Sequence, residues 1–359
     1  MNFSKLMILG TFAMSTLAIS SYAQASSSEV EYCVHPKFQS GAYTSLDCLQ
    51  DGMAIVEYVP HYGAIDANGV EVIPTKYDLI HRFSEGFAVV MDFDTKKSAY
   101  INKQRHFITE FIFDDANDFS EGLAAVNQNP PNGIFNPDAG GWVFLNSQGD
   151  IQIPIHYQAV AYEGFEQGYA SVQQKGKWGM IDQKGTTHVP FIYEEISDYN
   201  SNRAVAKLNG KYGYLDIEGK TIIPFTYDAA ARFQDGVAFV RKAYKYALIN
   251  TSGKLLTPFI YDAADPFFEG VAAVMIVDKW GYILPSGQML TAMQYDKAMP
   301  SREGLMAVKK NEKWGYADHS GQLIIPYQFD DSRYFRNGIA EVSIDGEHFY
   351  IDQLGQRLN

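Results

Sequence analysis

Four tryptophans, at 142, 178, 280 and 314, each open a similar phrase, of which "KWGYADHSGQLIIPYQFDD" (residues 313 to 331) is the fullest. Aligning the chain on them gives the anchors Tyr62, Ser98, Trp142, Trp178, Tyr212, Tyr246, Trp280, Trp314 and His348. Their spacings are 36, 44 and 36, then 34 five times running. Fifteen residues past each of the first eight anchors stands an aromatic residue: Tyr77, Phe113, Tyr157, Tyr193, Tyr227, Tyr261, Tyr295 or Phe329. An acid follows it in seven of the eight, Gln158 being the exception. A glycine stands seven past every anchor except at Arg105, and a proline twelve past six of them, with Glu110 and Ala292 in its place elsewhere. A period of this length marks a repeat architecture, in which a unit too small to bury its own apolar face does so by stacking on its neighbours.

Each unit reads as three short strands. An acid-Gly-x-Ala-x-Val phrase ("EGFAVV", "DGVAFV") leads into the anchor phrase ("KWGMID", "KWGYAD"), and a polar turn ending in glycine leads into "IIPFTYD". Period-two patterning, abundant Val, Ile, Tyr and Phe, and glycine-marked turns all point to strands. No segment sustains a 3.6-residue apolar period long enough for a helix. The repeated glycine suits a turn with positive φ, and the proline, lacking a donor, belongs at a strand start or edge. The acid after the aromatic residue is expected to accept backbone N–H groups in the following turn.

These phrases resemble the WG-repeat family of bacterial β-repeats over about residues 49 to 355. Ser98, Trp142, Tyr246 and His348 lack the Trp-Gly pair. The resemblance implies an all-β repeat architecture and no particular chemistry. Eight full units and a partial ninth exceed the usual 4 to 8 propeller blades, and 34 residues fall short of a four-stranded blade. The expectation is therefore an open twisted β-array or solenoid of three-stranded units, with a closed propeller-like ring as the alternative. Room for a fourth short strand remains around "AAARF", ahead of each acid-Gly.

Residues 1–25 carry one lysine, an interrupted apolar run and Ala23-Gln24-Ala25, the pattern of a secretory signal peptide. Its removal leaves 28 cationic against 42 acidic residues, a net charge of −14, which disfavours nucleic acid. No later stretch approaches a membrane span. The expected product is an exported protein, periplasmic or secreted. Cys33 and Cys48 are the only cysteines, and export favours a disulfide between them within an N-terminal cap, residues 26–48, ahead of the repeat domain, 49–359.

Individual residues favour a scaffold over an enzyme. Tyr62, Trp142, Trp178, Tyr212, Tyr246, Trp280 and Trp314 recur once per unit beside a small residue or a strand neighbour, and read as packing between units rather than sugar platforms. One acid per unit is too few oxygens for calcium. The eight histidines share no position in the unit, and no HExxH, GxSxG or P-loop occurs. No catalytic residue, metal site or cofactor is expected. The enzymatic alternative, a protein that binds or degrades envelope polysaccharide, rests on "YEEI" at 193–196 and "FDDA" at 113–116. What breaks the pattern is the hairpin before the anchor: "DFDTKK" at 92–97 and "NQNPPNGIFNPDAGG" at 127–141. Phe93, Ile134 and Phe135 are the candidate contacts there, for an unidentified protein or cell-envelope component.

Overall fold

Alternating apolar residues on strands too short to form a core alone can be buried on both faces only by a stack of small sheets. The computed structural model shows such a stack and describes residues 34–37, 42–128 and 141–358. The expected signal segment, Cys33 with its bond to Cys48, Ile134 and Phe135 lie outside the described residues. Nine antiparallel sheets of three or four strands follow one another along the chain, and no α-helix occurs among the described residues. None closes into a barrel.

The fifth sheet shows the plan. A lead strand of two residues, Glu195–Ile196, pairs with a second strand, Arg203–Leu208; that pairs with the anchor strand, Lys211–Asp216, and that with a closing strand, Thr221–Tyr227. The lead strand is the fourth strand for which the sequence left room, so the unit is a four-stranded meander and not the three-stranded one expected. Its equivalent in the sixth unit is Ala229–Ala230, inside "AAARF". The acid-Gly pair makes the turn into the second strand: Asp235 and Gly236 have φ of 51° and 78°, and Gln234 and Val237 pair across them. Two successive left-handed residues match the twist of the flanking strands. Past the anchor strand, Asp216 Oδ1 accepts the N–H groups of Glu218 and Lys220, shaping the next turn.

The core sits between sheets. Ala238 and Val240 of the sixth second strand face Val205, Tyr214 and Ile223 of the fifth unit. The intervening Val237 and Phe239 face Phe267, Ala272 and Val274 of the seventh. Eight such clusters join consecutive units. A ninth lays Tyr43, Leu46 and Leu49 over Ala54, Val56 and Ile65 of the first sheet. Among the described residues no cluster joins the first sheet to the ninth, and the repeats form an open all-β array.

Two kinds of unit alternate within this plan. Units one, three, four, five and eight carry Ile73, Ile153, Val189, Ile223 or Ile325 eleven residues past the anchor, buried, and close with a seven-residue strand. Units two, six and seven carry Thr109, Thr257 or Thr291 there, and the closing strand is reduced to isolated bridges such as Tyr246 to Tyr261 and Ile249 to Leu255. The threonine hydroxyl explains the difference. It accepts the backbone N–H of Tyr100, Leu248 or Tyr282 at 2.9 to 3.0 Å, taking a donor that a strand would otherwise use. The preceding residue, Ile108, Leu256 or Leu290, then donates its N–H to the same residue's carbonyl and packs toward the core. The register is kept at both ends, Tyr246 to Tyr261 and Ile249 to Leu255 matching Tyr212 to Tyr227 and Leu215 to Thr221, so only the middle of the strand is lost.

Candidate functional site

The anchors lie at the inter-sheet seams. Trp314 is buried, while Tyr62, Trp142, Trp178, Tyr212, Tyr246 and Trp280 are half-buried against the clusters their units share. Each pairs across its strand with the aromatic residue fifteen positions on, as Trp178 does with Tyr193 and Trp314 with Phe329. The glycine after the anchor has a steric cause. A Cβ on Gly179, Gly213 or Gly315 would come within 2.6 Å of the carbonyl oxygen of Val189, Ile223 or Ile325. The closing strand lies directly over that position, so the glycine admits backbone rather than seating the anchor ring.

The acid column is a latch. Asp228 takes the Lys211 ammonium at 2.5 Å on one oxygen and the Ala243 N–H at 2.8 Å on the other. Asp262, Asp296 and Asp330 repeat this with Lys245, Lys279 and Lys313, and with the N–H groups of Val277, Asn311 and Asp345. The lysine hydrogen bond is the main cause that holds these four carboxyls below the usual range. The lysine precedes the anchor of the same unit. The N–H belongs to the hairpin tip of the next unit, so the turn the acid caps lies one unit further on than expected. The two carboxylate pairs that kept the enzyme reading open are absorbed here. Glu194 accepts from Gly210 N–H, Glu195 from Lys207 and Tyr212, and Asp114 from Lys97, while Asp115 accepts its neighbour's N–H.

The latches hold a row of hairpin tips between second and anchor strands, where the exposed apolar side chains collect. Phe93 is 56% exposed, and Tyr58 and Val59 project from the first tip. Tyr244 and Val277, at the sixth and seventh tips, are 87% and 76% exposed. Phe93 N–H is itself held by Asp78.

A second polar strip runs along the segments between lead and second strands, where sequence reasoning marked nothing. Arg82 meets Asp47 at 3.1 Å, and His81 Nδ1 meets Asp118 at 3.0 Å. Arg232 lies 3.6 Å from Asp198 and 3.8 Å from Glu163, so side chains of three consecutive units converge. Asp198 is buried, and neither of its oxygens has a hydrogen bond. Burial pushes its carboxyl up, and the Glu163 charge adds to this against Ser171 and Arg232. In the eighth unit Ser301 donates to Glu269 at 2.7 Å and lies 2.6 Å from His319 Nε2. Ser301 is wholly buried, and Glu269 also accepts the N–H groups of Glu303 and Gly304; this arrangement clamps two units together. These contacts join residues 18 to 69 apart, and Arg82, Asp118, Asp198 and Arg232 all stand twenty past their anchors, a column whose charge changes sign from unit to unit and so escaped the sequence reading. Among the described residues no group of three or more His, Cys, Asp or Glu is arranged to hold a metal.

The family model for the WG containing repeat matches residues 62–92, 99–129, 142–178, 178–212, 212–246, 246–280, 280–314 and 314–347. The chain belongs to the WG-repeat family. Most of the matched WG repeats begin on the anchors. No curated protein is similar to this WG-repeat chain at a significant level. Among solved structures it resembles a eukaryotic initiation factor, at 9% identity and a TM-score of 0.50, over 86% of this chain and 96% of that one. At that identity the likeness concerns the fold alone. AztD from Citrobacter koseri is 11% identical over 74% of this chain and 90% of its own, with a TM-score of 0.33. PorZ, a surface component of the type-IX secretion system of Porphyromonas gingivalis, is 9% identical over 91% of this chain, with a TM-score of 0.28; the chain spans about half of that structure's length, 52%. The last two likenesses carry no argument.

Proposed function

We propose that this WG-repeat protein is an exported, non-enzymatic scaffold, periplasmic or secreted, whose hairpin tips meet a protein or a cell-envelope component. The observation that carries the reading is a division of labour. Carboxylates and lysines of the repeat are spent on latches between units, whereas large apolar side chains stand exposed on the tips those latches hold. Rigid, preorganised tips lose little conformational freedom on binding, and exposed aromatic residues are the usual anchors of an interface. The enzymatic alternative on envelope polysaccharide needs two facing carboxylates in an open groove; Asp114, Glu194 and Glu195 are engaged in the repeat lattice instead.

The test is to replace residues 127–140 by a four-residue turn from a regular unit, alone and with Phe93→Ser, and to compare capture of partners from the envelope fraction. The reading expects a folded protein with weakened capture; equal capture by both variants would contradict it. Export is checked by intact mass, which should show a chain beginning at Ser26 and lighter by the two hydrogens of a Cys33–Cys48 bond.

A further inference from the structure

A two-residue turn leads into every second strand, and the residue ahead of it bridges across, as Gln234 does to Val237. Through the first six units that residue is polar and never a cation: Gln50, Ser84, Ser120, Glu166, Asn200 and Gln234. In units two and three it ties the next unit in place, Ser84 donating to the Phe119 carbonyl and Ser120 to that of Phe165. Units seven, eight and nine put Phe268, Arg302 and Arg336 there instead. The Arg302 guanidinium lies 4.1 Å from the centre of the Phe268 ring and 5.9 Å from that of Tyr334 in unit nine, both within cation–π range. Tyr334 and Arg336 flank the buried Phe335, and both face outward, the tyrosine 49% exposed.

These cations differ from the others on the same strip. Arg82 is paired with Asp47, and Arg232 with Asp198 and Glu163. Among the described residues Arg302 and Arg336 have no ion pair. The acids around them are turned to other donors. Glu269 accepts from Ser301 and from the Glu303 and Gly304 N–H groups, and Glu303 from the Gly338 N–H and Gln353. Asp331 lies beside Ser343, toward the tip end of the sheet, and Glu341 meets His348. The ninth turn has Asn337 where most turns have an acid.

We propose that Arg302, Tyr334 and Arg336 form a binding site for an acidic polysaccharide, a sugar ring lying on the tyrosine and its carboxylate held by the two guanidinium groups. An aromatic face is the negative pole of its ring and attracts the C–H face of a sugar. A guanidinium fork takes a carboxylate through two parallel N–H bonds, and the flanking rings already fix Arg302, so binding has little left to order. Other occupants fit less well. An extended peptide would need free backbone donors, but Arg302 and Leu305, like Arg336 and Ile339, exchange theirs across the turns. A polyphosphate or nucleic acid is held by a run of cations along its backbone, and toward the earlier units this strip carries Asp265, Asp198 and Glu163 instead. The site lies at the opposite end of the second strands from the hairpin tips, so it stands or falls apart from the interaction face proposed above.

The full chain is tested by affinity electrophoresis in gels containing polygalacturonate, neutral dextran, polyphosphate or poly-glutamate. Retardation should occur with polygalacturonate, be absent with dextran and weaken with salt. Arg336→Gln should weaken binding about tenfold, and Tyr334→Ala about threefold. Tyr334→Phe should keep it, because the ring and not the hydroxyl is used. Lys220→Gln, which removes an equal charge from an exposed turn of unit five, should change nothing. Arg302→Gln should also weaken binding about tenfold; where it lowers the melting temperature, the exposed Arg336→Gln carries the test. No retardation by polygalacturonate, equal retardation by dextran, or binding unaffected by Arg336→Gln and Tyr334→Ala would overturn the proposal. So would tighter binding to polyphosphate or poly-glutamate than to polygalacturonate.

Discussion

The fifth and sixth units share a length, an aromatic anchor and an acid latch, yet only the fifth closes with a full strand. Ile223 in one and Thr257 in the other occupy the same position. Ile223 fills the seam to the next sheet, whereas the Thr257 hydroxyl takes the Leu248 N–H and breaks the middle of the closing strand while both ends keep their register. One side chain therefore chooses between two closing geometries within one repeat. The three threonine units, two, six and seven, are also those whose tips carry Phe93, Tyr244 and Val277. Regular unit four turns on Lys175-Gly176 and regular unit five on Asn209-Gly210. Regular unit one also exposes Tyr58 and Val59 at its tip, so the apolar tip is common to the three threonine units without being confined to them.

The largest expected effect contrasts anchors from the two kinds of unit. Trp314→Ala, in a regular unit and buried, should cost about 3–5 kcal/mol in urea unfolding. Tyr246→Ala, half-buried in a threonine unit, should cost clearly less, and equal losses would mean that the closing strand adds nothing to anchor packing. Next, Ile223→Thr should cost about 2–3 kcal/mol, through lost methylene burial and an added hydroxyl. Amide exchange should show whether the strand 221–227 then opens as residues 255–261 do; a strand protected as before would remove threonine as the cause.

Much of this was legible beforehand. The anchors, the glycine column and the acid column located every unit, because each is a local requirement repeated in register. The lead strands were harder to see, since two residues such as Ala229–Ala230 show no alternation. The lysine before the anchor and the acid sixteen past it were both visible, and their pairing needed only the spacing of seventeen between Lys211 and Asp228. The three threonines were visible too, but proline one position later drew the alignment. The strip formed by Asp198, Arg232 and Glu163 was harder to see: Asp198 and Arg232 both stand twenty past their anchors and Glu163 twenty-one past, but the position changes charge from unit to unit and its members meet only through stacking.

Asp265 of unit seven sharpens the comparison by pH. Burial raises its carboxyl to about 6, so the folded state holds the proton more tightly than the unfolded chain. The stability this confers is complete below the unfolded value and lost as pH rises through about 6. Asp265→Asn should remove about 2 kcal/mol of the difference in unfolding free energy between acid and neutral solution, allowing for partial solvent contact. The latch acids have the opposite sign: their depressed carboxyls stabilise above the ordinary carboxylate value, and that contribution fades as pH falls through their folded values. An unchanged pH profile for the asparagine variant would mean that Asp265 is solvated.

A smaller effect belongs to Thr257→Val, which leaves the Leu248 N–H without its hydroxyl partner. A loss of about 1 kcal/mol is expected, partly offset if the valine draws the segment into a regular strand. Circular dichroism would register that added strand, and a gain in stability would show that the threonine serves something other than folding.

The division between latched scaffold and working tips is tested most directly by unfolding a variant that relaxes two left-handed tip residues, Tyr244 at φ 67° and Val277 at φ 47°. With Tyr244→Asn and Val277→Gly the backbone keeps its left-handed turns at lower cost, and the buried seams are untouched. The account predicts a urea midpoint equal to or above that of the unaltered protein, by up to about 1 kcal/mol for the relieved strain. A clear fall in the midpoint would show that these side chains hold the array together, and would contradict the claim that they are kept for binding.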